Sequence, residues 1–112
     1  MTTPVLNRKL VLETPVRVPD GAGGFTVSWE SLGVLWAELD ARTGRATAGV
    51  ATPLSRTVYR ITVRAAPVGA ASRPLPEQRF RDGPRVFNIQ AVTEADPAAR
   101  YLVCHAQEEL VT

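Results

Sequence analysis

Three short segments of this sequence alternate between apolar and polar residues, and that period of two limits the fold more than any other feature. They span residues 25–30, 59–64 and 87–90, and in each the odd-numbered residues are apolar and the even-numbered ones polar. Successive side chains of a strand point to opposite faces, so each segment predicts a strand with one buried face. We expect the aromatic side chains on these faces to lie in the core: Phe25, Trp29, Tyr59 and Phe87.

Three further segments are extended in character but apolar on both faces. They span residues 5–13, 34–40 and 100–107. Two apolar faces are consistent with burial on one side in the domain and on the other side against a neighbouring subunit. Half-buried strands are typical of antiparallel sheets. The six segments together predict a mainly β fold, a small antiparallel β-barrel or sandwich.

Turn signals separate these strands. Residues 20–24 (Asp-Gly-Ala-Gly-Gly) supply positions that accept positive φ, and they predict a hairpin loop. Residues 31–33 (Ser-Leu-Gly) predict a tight connection that pairs segment 25–30 with segment 34–40. Residues 82–84 (Asp-Gly-Pro) predict a second hairpin, and Asp96-Pro97 interrupts the chain before the last strand.

Two long segments fit no strand. Residues 42–55 are rich in Ala, Gly and Thr, and they predict one long internal loop with room for a short helix. Loops of this length within a compact domain are usually functional. Residues 65–77 contain Pro67, Pro74 and Pro76, which predict a surface loop rather than a helix or central strand. The sequence shows no internal repeat and no domain boundary, so we expect residues 1–112 to form a single domain.

Composition limits the compartment and the class of partner. One cysteine among 112 residues excludes an intrachain disulfide and fits a reducing compartment. No run approaches the roughly 18 apolar residues of a membrane-spanning helix, and charges at Arg8 and Lys9 interrupt any signal-peptide pattern. We therefore expect synthesis in the cytosol and no membrane association. The net charge of +2 is too small to predict nucleic-acid binding by itself.

The inventory of reactive side chains argues against catalysis. Cys104 and His105 are the only cysteine and histidine. As neighbours on a predicted strand they point to opposite faces, so they cannot share a metal ion or act together as nucleophile and base. The glycine-rich turn at 20–24 precedes an alternating strand instead of a lysine and a helix, which argues against a phosphate-binding loop. We expect no enzymatic activity, no catalytic residue, no metal and no cofactor.

Charged side chains recur on single faces of two predicted strands. Positions of equal parity on a strand share a face. An arginine therefore recurs on one face of the strand near residue 60, and two carboxylates share a face of the strand near residue 39. We expect these side chains to form subunit interfaces: Arg56, Arg60, Arg64, Glu38 and Asp40.

A second group of arginines flanks the turn at 82–84, namely Arg79, Arg81 and Arg85. Salt bridges between subunits, with Glu108 as a further acid, would explain these arginines. A nucleic-acid-binding β-barrel is the alternative, although such modules usually expose aromatic side chains on which bases stack.

The order and spacing of these segments resemble the phage head–tail joining family, also called head-completion, adaptor or stopper proteins. The resemblance extends from about Leu6 to Glu109. It rests on the following pieces taken together: Arg8-Lys9-Leu10-Val11-Leu12-Glu13, Asp20-Gly21-Ala22-Gly23-Gly24-Phe25-Thr26-Val27-Ser28-Trp29, Val34-Leu35-Trp36-Ala37-Glu38-Leu39, Thr43-Gly44-Arg45, Tyr59-Arg60-Ile61-Thr62-Val63-Arg64, Arg79-Phe80-Arg81-Asp82-Gly83, Arg85-Val86-Phe87-Asn88-Ile89 and Tyr101-Leu102-Val103-Cys104.

This resemblance implies a structural subunit of a homo-oligomeric ring in the neck of a phage, prophage or gene transfer agent particle. In that family the ring lies between the portal or adaptor protein above and a tail terminator or other tail protein below. It completes the channel for double-stranded DNA after packaging, and the particle is assembled in the bacterial cytoplasm. The alternative function is that of a monomeric nucleic-acid-binding β-barrel.

The resemblance also implies a role for the long loop. In several members the corresponding loop projects into the channel and holds the DNA until ejection. By position that loop is 42–55 here. The residues expected to face the channel or the DNA are Arg42, Thr43, Gly44, Arg45 and Thr47.

Overall fold

Six antiparallel strands close into a barrel in the computed structural model, which describes residues 3–43 and 57–109. The strand order around the barrel is β1-β2-β3-β6-β5-β4, and β4 pairs back onto β1. No helix occurs within the described residues. The predicted mainly β fold is confirmed. The strands are β1 (Arg8–Pro19), β2 (Phe25–Thr43), β3 (Thr57–Arg64), β4 (Arg79–Asp82), β5 (Arg85–Glu94) and β6 (Tyr101–Glu108).

The barrel interior is filled by apolar side chains from all six strands. Tyr59 packs at its margin with its ring edge-to-face on Phe87, at a centroid distance of 5.0 Å. The alternation at 59–64 and 87–90 therefore predicted the inward faces of β3 and β5. Cys104 also lies inside, where burial raises the pKa of its thiol to about 12 and keeps it protonated. The fully buried core side chains include Leu10, Leu12, Ile61, Val63, Phe80, Phe87, Leu102 and Cys104.

Three of the predicted turns are confirmed. Asp20 Oδ1 accepts hydrogen bonds from the N–H groups of Ala22 and Gly24, at 2.8 and 3.0 Å, and so rigidifies the β1–β2 turn. Gly83 takes a φ of 59° in the two-residue connection between β4 and β5, a conformation that favours glycine. Asp96 Oδ1 accepts from the N–H of Arg100 ahead of β6.

The predicted connection at residues 31–33 is wrong, because β2 runs through it without a break. Leu12 of β1 lies opposite Gly33, but the next residue, Glu13, lies opposite Ser31. Leu32 is therefore the extra residue of a β-bulge, and it packs against the core. The small, flexible residues at this point bend one long strand instead of joining two short ones.

The bulge also reverses which residues of β2 face the core. An added residue shifts the alternation by one, so odd-numbered side chains face inward from Gly33 onward and outward before Leu32. Ala37 is accordingly buried, whereas Phe25 and Val27 are 62% and 55% exposed. The prediction that Phe25 lies in the core is wrong, and Trp29 is only half-buried.

The outer parts of β1 and β2 form a two-stranded extension. The β1–β4 pairing covers only Val11, Leu12 and Glu13. Residues 14–19 therefore pair with β2 alone, opposite residues 25–30. We call residues 14–30 the projecting hairpin. Six residues per strand correspond to about 20 Å beyond the β1–β4 pairing.

An ion pair lies at the seam where β4 closes the barrel on β1. Arg79 donates from Nε to Glu13 Oε1 at 2.7 Å, and the Arg81 guanidinium lies 3.5 Å from the other carboxylate oxygen. The side chains of Glu13 and Arg79 are only 9% and 14% exposed. The Arg79 guanidinium also stacks on Trp29, 3.9 Å from the ring centroid. The seam therefore holds the root of the projecting hairpin as well.

Replacing Phe87 by alanine should destabilise the barrel by about 3–5 kcal/mol, because its fully buried ring leaves a cavity. The matched control, Phe25→Ala, removes the same ring from an exposed site and should change stability by no more than about 0.5 kcal/mol. Denaturant unfolding measures both. Equal losses for the two variants would contradict the assignment of faces.

Replacing Glu13 by glutamine should cost about 3 kcal/mol, because it leaves the buried Arg79 guanidinium without its counter-charge. Glu30→Gln, an exposed change on the neighbouring strand, is the control and should be nearly neutral. The double variant Glu13→Met/Arg79→Met should recover part of the loss, since it removes both buried charges. If the Glu13 and Glu30 variants unfold at the same denaturant concentration, the seam pair does not stabilise the closure.

Candidate functional surfaces

Four of the five predicted interface residues lie together on the outer wall of the barrel, at β2 and β3. Glu38 and Asp40 alternate with the inward-facing Ala37 and Leu39, so their carboxylates point outward. Asp40 lies directly opposite Arg60 of β3. Four of the predicted residues, Glu38, Asp40, Arg60 and Arg64, are thus on one side of two adjacent strands.

The ion pairing on this wall is only partial. Asp40 Oδ2 accepts from Arg42 at 3.0 Å, with both side chains about half exposed, so the pair contributes little stability. Glu38 Oε2 accepts the N–H of Val5 at 2.7 Å and ties down the segment ahead of β1. Within the described residues, Arg60 and Arg64 have no carboxylate within 4.0 Å. Both side chains are exposed on the outward face of β3.

The arginines around the turn at 82–84 are used within the chain. Arg79 and Arg81 bind Glu13 across the seam. Arg85 makes two hydrogen bonds to Glu108, at 2.8 and 3.2 Å, and a third to the Tyr59 hydroxyl. Glu108 is thus already paired within its own subunit and does not need a partner's arginine.

The Arg85–Glu108 pair couples barrel stability to pH. Hydrogen bonding to Arg85 holds the pKa of Glu108 below its ordinary value of 4.5, against a smaller opposing effect of burial. A carboxyl whose pKa is depressed by folding stabilises the fold above its unfolded-state pKa. This contribution is therefore present at neutral pH and is lost as the pH falls through the lowered value.

An exposed tryptophan flanked by cations was not expected from the sequence. Trp36, 55% exposed, lies opposite Lys9 of β1. Together with Leu6, Val34 and Arg64 it lines an open recess of about 590 Å³. The sequence did contain an indication of this exposed side chain. Segment 34–40 is apolar on both faces, which suggested a second contact outside the domain.

The remaining predicted site residues fall at or beyond the end of β2. Arg42 is exposed, and Thr43, the last residue of β2, lies opposite Thr57, the first residue of β3. The predicted loop of 42–55 thus starts later than expected, because residues 42 and 43 still belong to the sheet. Gly44, Arg45, Thr47 and Arg56 lie outside the described residues.

The described residues offer few other chemical sites. In residues 3–43 and 57–109, no three His, Cys, Asp or Glu side chains are grouped so that they could hold a metal ion. The same ranges contain no helix long and apolar enough to cross a membrane.

Comparison with known proteins gives a family match and a match to a solved structure. The family model for the phage head completion protein matches residues 1–109. A chain in the solved structure of a native gene transfer agent (GTA) virion particle is 54% identical, with a TM-score of 0.83. That match covers 98% of this chain and 100% of that chain. No curated protein matches the sequence. The resemblance seen in the sequence is therefore confirmed, and the chain belongs to the phage head completion protein family.

Proposed function

We propose that this protein is a non-enzymatic, single-domain ring subunit in the neck of a tailed-phage-like particle. Its ring joins the portal or adaptor protein to the tail and closes the DNA channel after packaging, following assembly in the bacterial cytoplasm. The observation that carries this proposal is the 54% identity, over nearly the whole chain, to a component of a gene transfer agent virion.

The filled barrel supports a structural role. The inward faces of the strands meet in one apolar core, and two recesses lined by described residues lie on the outer wall. Catalytic sites usually need a concave pocket in which polar groups with perturbed pKa values converge. The two strongest effects on pKa in the described residues belong to the thiol in the core and to the Arg85–Glu108 pair, and neither group lines the recesses formed by described residues.

The position of the long segment between β2 and β3 supports a role in the channel. β2 starts in the projecting hairpin and ends at Thr43, so the hairpin lies at the opposite end of β2 from the residue that precedes the long segment. Thr43 and Thr57 pair directly, so both ends of the intervening segment are anchored at one point of the barrel rim. Arg42 is exposed beside that point, and its solvent-exposed pair with Asp40 is weak enough to be exchanged for a DNA phosphate or an acid of a neighbouring subunit.

A second candidate function is that of a monomeric nucleic-acid-binding barrel. The recess at Trp36 favours it, because an exposed aromatic ring between Lys9 and Arg64 is the combination on which single-stranded nucleic acid stacks. DNA binding by the isolated monomer that weakens steeply with salt would support this candidate. Ring assembly without such affinity would support the structural role.

Replacing residues 45–53 by a short Gly-Ser linker should leave the thermal stability of the barrel unchanged, because the paired strands and the core are untouched. The resulting particles should lose packaged DNA or fail to join tails, as measured by retained DNA and by electron microscopy. The control replaces residues 97–99, in the exposed turn before β6, by Gly-Ser residues. Particles of the 45–53 variant that package, retain and deliver DNA normally would contradict a channel role.

A further inference from the structure

The projecting hairpin presents one mostly apolar face to solvent. Directly opposite residues of paired strands share a face. The pairs on the outward face are Pro15–Trp29, Arg17–Val27 and Pro19–Phe25. Its root is covered, since Arg79 stacks on Trp29. Toward the tip the face is bare, with Phe25 62% and Val27 55% exposed.

The hairpin is built to dock by this face rather than by its edge. Pro15 and Pro19 lack the N–H groups that an added strand would need along β1. The Asp20 turn and the pairing with β2 hold the two strands together. Arg17 is the only charged residue on the face, and no carboxylate lies within 4.0 Å of it in the described part of the chain.

A surface of matching chemistry lies at the same end of the barrel. The loop at 65–77 begins after Arg64, the last residue of β3, and leads to Arg79 at the root of the hairpin. It exposes Val68 by 87% and Leu75 by 52%, and Glu77, two residues after Leu75, is also exposed. The loop therefore offers two apolar side chains and a carboxylate, whereas the hairpin offers two apolar side chains and a guanidinium.

Within one copy these two surfaces do not cover each other, as the exposures of Phe25, Val27 and Val68 show. Rotation about a ring axis keeps the same end of every barrel at the same level. Because the hairpin and the loop leave the same end of the barrel, the hairpin of one copy can meet the loop of the next, and a contact between two different surfaces of one chain generates a ring when the rotation closes. The hairpin's length of about 20 Å is enough to reach across a subunit boundary.

We propose that the outward face of the projecting hairpin (Arg17, Phe25, Val27) docks on the 65–77 loop of a second copy of this chain (Val68, Leu75, Glu77). Arg17 then faces Glu77, and Phe25 and Val27 cover Val68 and Leu75. This inference rests on the proposed ring function and assigns the contact that builds the ring.

Disulfide trapping in assembled particles tests the contact. The variant Val27→Cys/Val68→Cys places one thiol on each surface, and the native Cys104 is fully buried and stays inert. Particles carrying this variant are oxidised and run on a non-reducing gel. The expected result is loss of the monomer band to a ladder of covalent multiples of this chain. The matched controls, Val27→Cys alone and Val68→Cys alone, should remain monomeric.

Three results would overturn the inference while leaving the proposed function intact, provided that the protein is present in the particles. They are no ladder from the double variant, dimers from either single variant, or a cross-link to a different particle protein. Absence of the protein from purified particles would overturn the proposed function and this inference together.

A charge exchange adds a second readout on the same contact. Arg17→Glu and Glu77→Arg should each reduce trapping by several-fold or more, because each places like charges opposite one another. The combined variant Arg17→Glu/Glu77→Arg should restore it. An unchanged yield of the disulfide in all three variants would show that Arg17 does not face Glu77.

Discussion

The fold depends on a closure of only three residue pairs, where β4 meets β1. At this seam the inward side chains Leu12 and Phe80 complete the core, and the outward side chains Glu13 and Arg79 form a nearly buried ion pair. A six-stranded sheet left open here would expose the long edge of β1 and the short edge of β4, and unpaired edges are a liability for any protein. The same arginine stacks on Trp29. One interaction thus closes the barrel and positions the hairpin that projects from it.

The two ends of the barrel carry different structural features. One end carries Thr43 and Thr57, which flank the segment between β2 and β3, and the other carries the projecting hairpin together with the 65–77 loop. Apolar side chains that a monomer would bury, among them Phe25, Val27 and Trp36, lie on the outside instead. Contiguous apolar surface on a small domain usually marks contacts with other proteins. The chain is therefore better explained as a part of an assembly than as a free-standing domain.

Most strands, three of the four turns and the family were predictable from the sequence because they depend on local alternation, turn chemistry and order along the chain. The inward or outward orientation of residues 25–29 was not predictable. It depends on Leu32, the extra residue of the bulge, which shifts the alternation of β2 by one residue. Ser31 and Gly33 signalled an irregularity at the right place, but a bulge and a turn have similar local signals. The pairing of Arg79 with Glu13, 66 residues away in the chain, likewise required knowledge of strand order.

The most direct test of the structural role is an electron cryomicroscopy reconstruction of the neck of the parent particle. We predict a closed ring of this subunit between the portal or adaptor and the tail, with the segment between β2 and β3 toward the channel axis and the hairpins between neighbouring copies. Density for this chain as an isolated copy, or anywhere other than the neck, would contradict it.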